Sequence, residues 1–181
     1  MPVLPLTYDE CRARFQRQAA SARHHVDSYP IEARGPHGQE LSIDVVVIGA
    51  ERPRRALTVL SGVHGVEGYL NSQLQTDLLG RVDRSSMPQD MAVVLVHAVN
   101  PWGMAWWRRQ NESNVDLNRN WRRSATAPVH NDAYDLVHPL ACPDTPELPS
   151  VADLLVDAMA LVDQHGFEWV RNAITLSLIH I

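Results

Sequence analysis

The chain has 181 residues, 45% of them hydrophobic and 20% charged, enough for one domain with a proper core and too apolar for a disordered tract. A net charge of -5 argues against general affinity for nucleic-acid phosphates, which calls for a basic surface. All sixteen basic residues are Arg, which excludes a lysine Schiff base and a P-loop lysine.

The opening residues MPVLPLTYDECR lack a charged segment followed by an apolar one, so no secretory leader is expected. There is no run of about 18 uncharged apolar residues, so no membrane span is expected either. Cys11 and Cys142 have no metal-ligand spacing. Two reduced thiols in a cytoplasmic protein are expected.

Thr7 with Glu10 three residues on forms a capping box. Tyr8, Cys11, Phe15, Ala19 and Ala22 follow at helical spacing, predicting a helix that ends near His24 or His25. Strands are predicted over 31–34 and 40–48 around the turn Gly35-Pro36-His37-Gly38. In the second, Leu41, Ile43, Val45 and Val47 share one face, and Ser42 and Asp44 begin the other.

A short apolar strand over 56–60 leads into the turn 61–65, then a helix over about 66–79 with Val66, Leu70, Leu74 and Leu78 at four-residue spacing and Gly80 as its stop. Residues 91–99 read as a buried strand. Residues 100–149 read mostly as loop, and Ser150 with Asp153 caps a helix running to about His165. The alternation predicts an α/β fold, a mixed sheet with helices on both faces, within one domain over 1–175. The tail 176–181, LSLIHI, reads like a common sequencing-library adapter translated in frame and is expected to be non-native. The chain is therefore expected to be truncated, an N-terminal portion of a longer domain.

His64-Gly65-Val66-Glu67 sits where a strand ends and a helix begins, the place where open α/β sheets bind ligands. Three residues apart at such a junction, an imidazole and a carboxylate can converge on one ion, each about 2.0–2.2 Å away in a zinc site. The plainer alternative is a loop histidine with a glutamate set favourably at a helix N-terminus. Residues 100–121, NPWGMAWWRRQNESNVDLNRNW, also start at a strand end. They carry Arg108, Arg109 and Arg119, and an Arg fork holds a carboxylate by two parallel hydrogen bonds. The plainer alternative here is a polar loop of solvated Arg and Asn turn formers.

Taken together, GVHGVEG at 62–68, Asn100-Pro101-Trp102-Gly103 and Asp116-Leu117-Asn118-Arg119-Asn120-Trp121 resemble the zinc carboxypeptidase superfamily, which includes the aspartoacylase and succinylglutamate desuccinylase branch. The closest likeness is to a bacterial branch with zinc-carboxypeptidase-like domains, over roughly residues 40–125. The resemblance implies zinc as cofactor, with His64 and Glu67 as its first two ligands. It implies that Asn118 and Arg119 bind the substrate's terminal carboxylate. Arg109, with Arg108 as the fallback, would be the residue that polarises the scissile carbonyl. Asp116 and Asn120 match the motif and are expected to hold the loop that aims Asn118 and Arg119.

The family also needs a third ligand, a histidine on a later strand, and a glutamate general base. His180 falls about where an Ile-His-Ile strand would offer that ligand, but in the suspect tail. His130, His138 and His165 come too early, and His97, inside a buried strand, is expected to be a hydrogen-bonded core residue. His24, His25 and His37 have no partner in the sequence pattern. No Glu follows Glu168, so the base has no candidate.

The expectation is a zinc-dependent hydrolase of an amide bond next to a free carboxylate, on a peptide C-terminus or an N-acyl amino acid, with this chain an incomplete and inactive fragment. Two alternatives remain open. One is a carboxylate-binding module without hydrolysis. The other is an interaction fragment exposing apolar surface. No nucleic-acid or membrane partner is expected.

Overall fold

Thr7 opens the first helix, its hydroxyl oxygen accepting from the Glu10 amide at 3.2 Å. The computed structural model describes residues 7–120, 132–141 and 149–180, without the side chains of 141 and 176–180; His130 and Cys142 therefore lie outside the described residues. They form helix α1 (Tyr8–Ser21), strands β1 (Asp27–Arg34), β2 (Glu40–Gly49) and β3 (Arg55–Leu60), helix α2 (Gly68–Leu79), strand β4 (Met91–His97), and helices α3 (Pro101–Ala105), α4 (Asp132–Ala141), α5 (Val151–His165) and α6 (Phe167–His180). Contacts group the chain into two compact units, 1–109 and 110–181.

The first unit is built on a four-stranded mixed sheet in the order β1-β2-β4-β3. β1 and β2 pair antiparallel, as do β2 and β4, while β3 runs parallel to β4. The α/β class and the mixed sheet are those expected. Phe15 and Ala19 of α1 pack with Val46, Ile48, Val93 and Leu95 of the central strands and Leu79 of α2. Burying a phenylalanine such as Phe15 contributes about 1.5–3 kcal/mol. On β2, Ser42, Asp44, Val46 and Ile48 are buried, while Val47 on the opposite face is half exposed. The inward face of β2 is thus the one that begins with its two polar residues.

Those polar residues are matched. Asp44 has no exposed surface and accepts from Arg12 Nε at 2.8 Å, Arg12 Nη2 at 3.1 Å, Gln16 Nε2 at 3.0 Å and Ser28 Oγ at 2.6 Å. The Asp44 carboxylate in turn holds the Arg12 guanidinium still more firmly protonated. Removing one partner of such a pair typically costs about 3–5 kcal/mol, because the other is left uncompensated. The Tyr8 hydroxyl donates to the Ser42 carbonyl at 2.8 Å and accepts from the Ser42 amide at 2.9 Å.

Helix α2 corrects the expectation drawn from its apolar spacing. Leu70 and Leu74 are more than half exposed, and the buried positions are Tyr69, Ser72, Gln75, Thr76 and Leu79. The buried polar atoms find partners under the sheet. Gln75 Nε2 donates to the Val59 and Val96 carbonyls, and Ser61 Oγ donates to Gln75 Oε1. A face that satisfies its hydrogen bonds can be buried in place of a leucine stripe. Gly80 is right-handed at φ -73° rather than a left-handed stop, and a Cβ there would meet Gln18 Nε2 at 2.7 Å.

The second unit is helical. Tyr134 and Val137 of α4 pack on Val170 and Ala173 of α6, with Leu161 and Val162 of α5 against them. Ser150 caps α5 as predicted, accepting from the Asp153 amide at 3.1 Å. Helices α3 and α4 lie inside the stretch expected to be loop. The Ile-His-Ile segment expected as a strand is helical as far as His180. Among the described residues no helix is long and apolar enough to cross a membrane.

Candidate functional site

Two loops leave the C-terminal ends of β3 and β4 side by side. The Val99 amide donates to the Ser61 carbonyl at 2.8 Å and the Asn100 amide to the Gly62 carbonyl at 2.9 Å. Gly62 has φ +64°, a left-handed conformation that side chains other than hydrogen rarely adopt, and this turns the chain sharply towards His64. A Cβ on Gly65 would stand 1.9 Å from the Gly103 carbonyl carbon, so the two backbones pass in direct contact.

The Asn100-Pro101-Trp102-Gly103 motif is structural. Asn100 Oδ1 accepts from the Gly103 amide at 2.8 Å and caps α3, while its Nδ2 donates to the Arg109 carbonyl at 3.4 Å. The Arg108 and Arg109 carbonyls accept from the Val66 and Gly65 amides at 3.2 and 3.4 Å. The backbone of the arginine segment therefore holds the turn that carries His64 and Glu67.

His64 Nδ1 lies 3.1 Å from Glu67 Oε1. His64 is 8% exposed, whereas the Glu67 carboxylate is open to solvent and makes no capping bond to the α2 amides. The carboxylate is turned to the imidazole rather than used on the helix. Two donors about 2.0–2.1 Å from a tetrahedral zinc stand roughly 3.3 Å apart, so this pair fits as two of its ligands. Among the described residues no group of three or more His, Cys, Asp and Glu side chains could close such a site.

Arg109 has an exposed side chain at the end of the first unit, and Arg108 beside it is half-buried. Asn118 and Arg119 belong to the second unit. Both are exposed, on a turn organised by the buried Asp116, whose Oδ1 accepts from the Asn118 amide at 2.9 Å and whose carbonyl accepts from the Arg119 amide at 2.9 Å. Asn120 Nδ2 donates to the same carbonyl at 3.0 Å.

Four other described histidines have other occupations. His97 is fully buried, its Nε2 is 2.8 Å from Ser72 Oγ, and its ring stacks on Phe15 at 4.7 Å. His138 Nδ1 is 3.0 Å from the Tyr134 hydroxyl, and His165 stacks on Trp169 at 4.2 Å. His25 Nε2 is 3.2 Å from an Asp27 carboxylate oxygen.

Two aromatic residues near the His64 turn have no counterpart in the sequence-based expectations. Tyr69 donates its hydroxyl to the Met104 carbonyl at 2.6 Å, and Trp107 stacks on Tyr69 at 4.5 Å. Burial raises the Tyr69 pKa, so the phenol stays protonated and remains a donor. Trp107 has φ +55°, and composition and periodicity carry no signal for that.

A family model described as "Protein of unknown function (DUF2817)" matches residues 5–177. The chain belongs to the DUF2817 family. A search of curated proteins finds no match to it. Among solved structures, this DUF2817 chain is similar to a glutaminyl cyclase from Fimbriiglobus ruber, with 11% identity and a TM-score of 0.37 over 49% of this chain and 36% of that one. It is also similar to carboxypeptidase A from Helicoverpa armigera, with 19% identity and a TM-score of 0.46 over 85% of this chain and 42% of that one. For thrombin activatable fibrinolysis inhibitor the values are 15% and 0.38, over 88% of this chain and 44% of that one. The DUF2817 chain thus spans less than half the length of each of these structures.

Proposed function

We propose that the protein is a zinc-dependent hydrolase of an amide bond next to a free carboxylate, acting in the cytoplasm on a peptide C-terminus or an N-acyl amino acid. The observation that carries this reading is the approach of His64 Nδ1 to Glu67 Oε1 at 3.1 Å, on a turn between a strand and a helix. The motifs Asn100–Gly103 and Asp116–Trp121, in the order the zinc carboxypeptidase superfamily has them, support it.

His64 and Glu67 would hold the metal, with a third ligand and the general base supplied from outside the described residues. A zinc ion bound there supplies a Lewis acid and a water of lowered pKa. Arg109 donates to the oxygen of the scissile carbonyl as negative charge develops on it. Asn118 and Arg119 bind the substrate carboxylate through an amide and a planar fork.

The test is a zinc titration followed by NMR of the histidine rings. With two ligands placed, the chain of 181 residues should bind zinc at roughly micromolar affinity or weaker. The His64 ring should shift first, and His64→Ala and Glu67→Ala should each abolish the response. Zinc that perturbs other histidines and leaves His64 unmoved would overturn the assignment.

A further inference from the structure

Helix α3 ends in a reciprocal pair of backbone hydrogen bonds, from the Trp107 amide to the Met104 carbonyl at 3.4 Å and from the Arg108 amide to the Gly103 carbonyl at 2.7 Å. This is the Schellman arrangement, and its left-handed position normally takes glycine. Here that position is Trp107, at φ +55°. A bulky side chain held in this conformation is an outlier that the surrounding structure must enforce.

The ring does not compensate by burial. Trp107 is 53% exposed. One face lies on Tyr69 with ring centroids 4.5 Å apart and planes 22° apart. Tyr69 is buried and anchored through its hydroxyl to the Met104 carbonyl, so the platform under the indole is rigid. Trp107 also immediately precedes Arg108 and Arg109, whose carbonyls hold the Val66 and Gly65 amides of the His64–Glu67 turn. A flat apolar surface is therefore fixed at the start of the segment that holds the His64–Glu67 turn, and it is open to solvent on one side.

We propose that Trp107 is a specificity-determining residue whose exposed indole face receives an apolar or planar acyl group of the substrate. This rests on the reading of the His64–Glu67 turn as the reaction site. In a substrate of this class the acyl group is the part that can carry an apolar or planar surface, and it is the part we assign to the ring. An ordered aromatic platform loses little conformational entropy on binding, and stacking adds to simple burial.

The experiment compares two ligands that share the glycine carboxylate and differ only in the acyl group: N-acetylglycine and N-benzoylglycine. Their affinities for the 181-residue chain are measured by calorimetry in zinc-containing buffer. N-Benzoylglycine should bind about five- to tenfold more tightly. Trp107→Gly, which suits the left-handed backbone and so keeps the fold, should erase the difference while leaving N-acetylglycine within about twofold. Trp107→Phe should restore part of the preference, which a purely structural role would not predict. Melting curves of both variants should stay within a few degrees of the parent chain.

A benzoyl preference that survives in Trp107→Gly overturns the proposal and leaves the carboxylate reading standing. If Arg119→Ala does not weaken N-acetylglycine while the Trp107-dependent preference persists, the carboxylate reading falls and this inference holds. Failure of both ligands to bind the parent chain overturns both.

Discussion

Ser72 Oγ and His97 Nε2 lie 2.8 Å apart in the space between α2 and the sheet, where neither residue is more than 2% exposed. The imidazole is surrounded by Phe15 from α1, Ser72 from α2 and, on the neighbouring strand, Asp44, whose carboxylate is already paired with Arg12. Its Nδ1 atom has no hydrogen-bond partner among the described residues. The ring is built to stay neutral.

Burial lowers the His97 pKa from its ordinary value to about 4, with Asp44 opposing the shift and Arg12 adding to it. The sign follows directly. Between about pH 6.5 and 4 the unfolded chain binds a proton at His97 that the folded chain refuses, so stability falls as pH falls. The contribution is fully present above pH 6.5 and amounts to about 3 kcal/mol lost by pH 4. Urea midpoints measured at intervals from pH 7.5 to 4 should show this decline, and His97→Gln should flatten it. Parallel profiles for the two proteins would refute the assignment.

Gly65 is expected to be intolerant of a side chain. A Cβ there would stand 1.9 Å from the Gly103 carbonyl carbon and 2.2 Å from the Met104 nitrogen, both backbone atoms that cannot swing aside. Gly65→Ala must push apart the two loops that leave the sheet, at a cost of about 1–3 kcal/mol or more. Gly38→Ala is the control, since Gly38 has φ +75° but nothing within 4 Å of its Cβ position. It should cost about 1–2 kcal/mol, from backbone conformation alone. Thermal melts should rank Gly65→Ala below Gly38→Ala. Gly65→Ala should also weaken the zinc response of His64, whereas Gly38→Ala should leave it unchanged.

The two proposed arginine roles should separate in kinetics. In a catalytically competent form of the protein, Arg119→Lys should raise KM strongly with a smaller effect on kcat. A carboxylate clamp acts in ground and transition states alike, and lysine cannot reproduce a planar two-bond fork. Arg109→Ala should mainly lower kcat, by about 10²–10³, because an oxyanion donor strengthens only as the carbonyl becomes tetrahedral. Steady-state rates on paired substrates with and without the free carboxylate provide the measurement. An unchanged carboxylate preference in Arg119→Lys would remove Arg119 from the clamp, and a full kcat loss in Arg108→Ala alone would move the oxyanion role to Arg108.

Local signals carried much of this protein in its sequence. Thr7 and Ser150 cap the helices their spacing to Glu10 and Asp153 marks, because an N-cap bond depends only on residues three apart. The strand expected over 91–99, found over Met91–His97, and the turn expected over 61–65, after which α2 begins only at Gly68, are legible for the same reason: apolar runs and glycines act on their own backbone. The three-residue step from His64 to Glu67, at a strand–helix junction, is likewise enough to bring the two side chains together.

What tertiary structure alone decided concerns long-range satisfaction and packing. Leucines at 70 and 74 face outward, and Ser72 and Gln75 face inward, because His97, Ser61 and the Val59 and Val96 carbonyls lie opposite them. Asp44 can be buried because Arg12, Gln16 and Ser28 arrive from two other elements. Trp107 takes a glycine conformation beside the His64 turn because α3 ends there and Tyr69 supports its ring. Partners distant along the chain, which no local pattern encodes, set which polar groups can be buried and which aromatic face is left exposed.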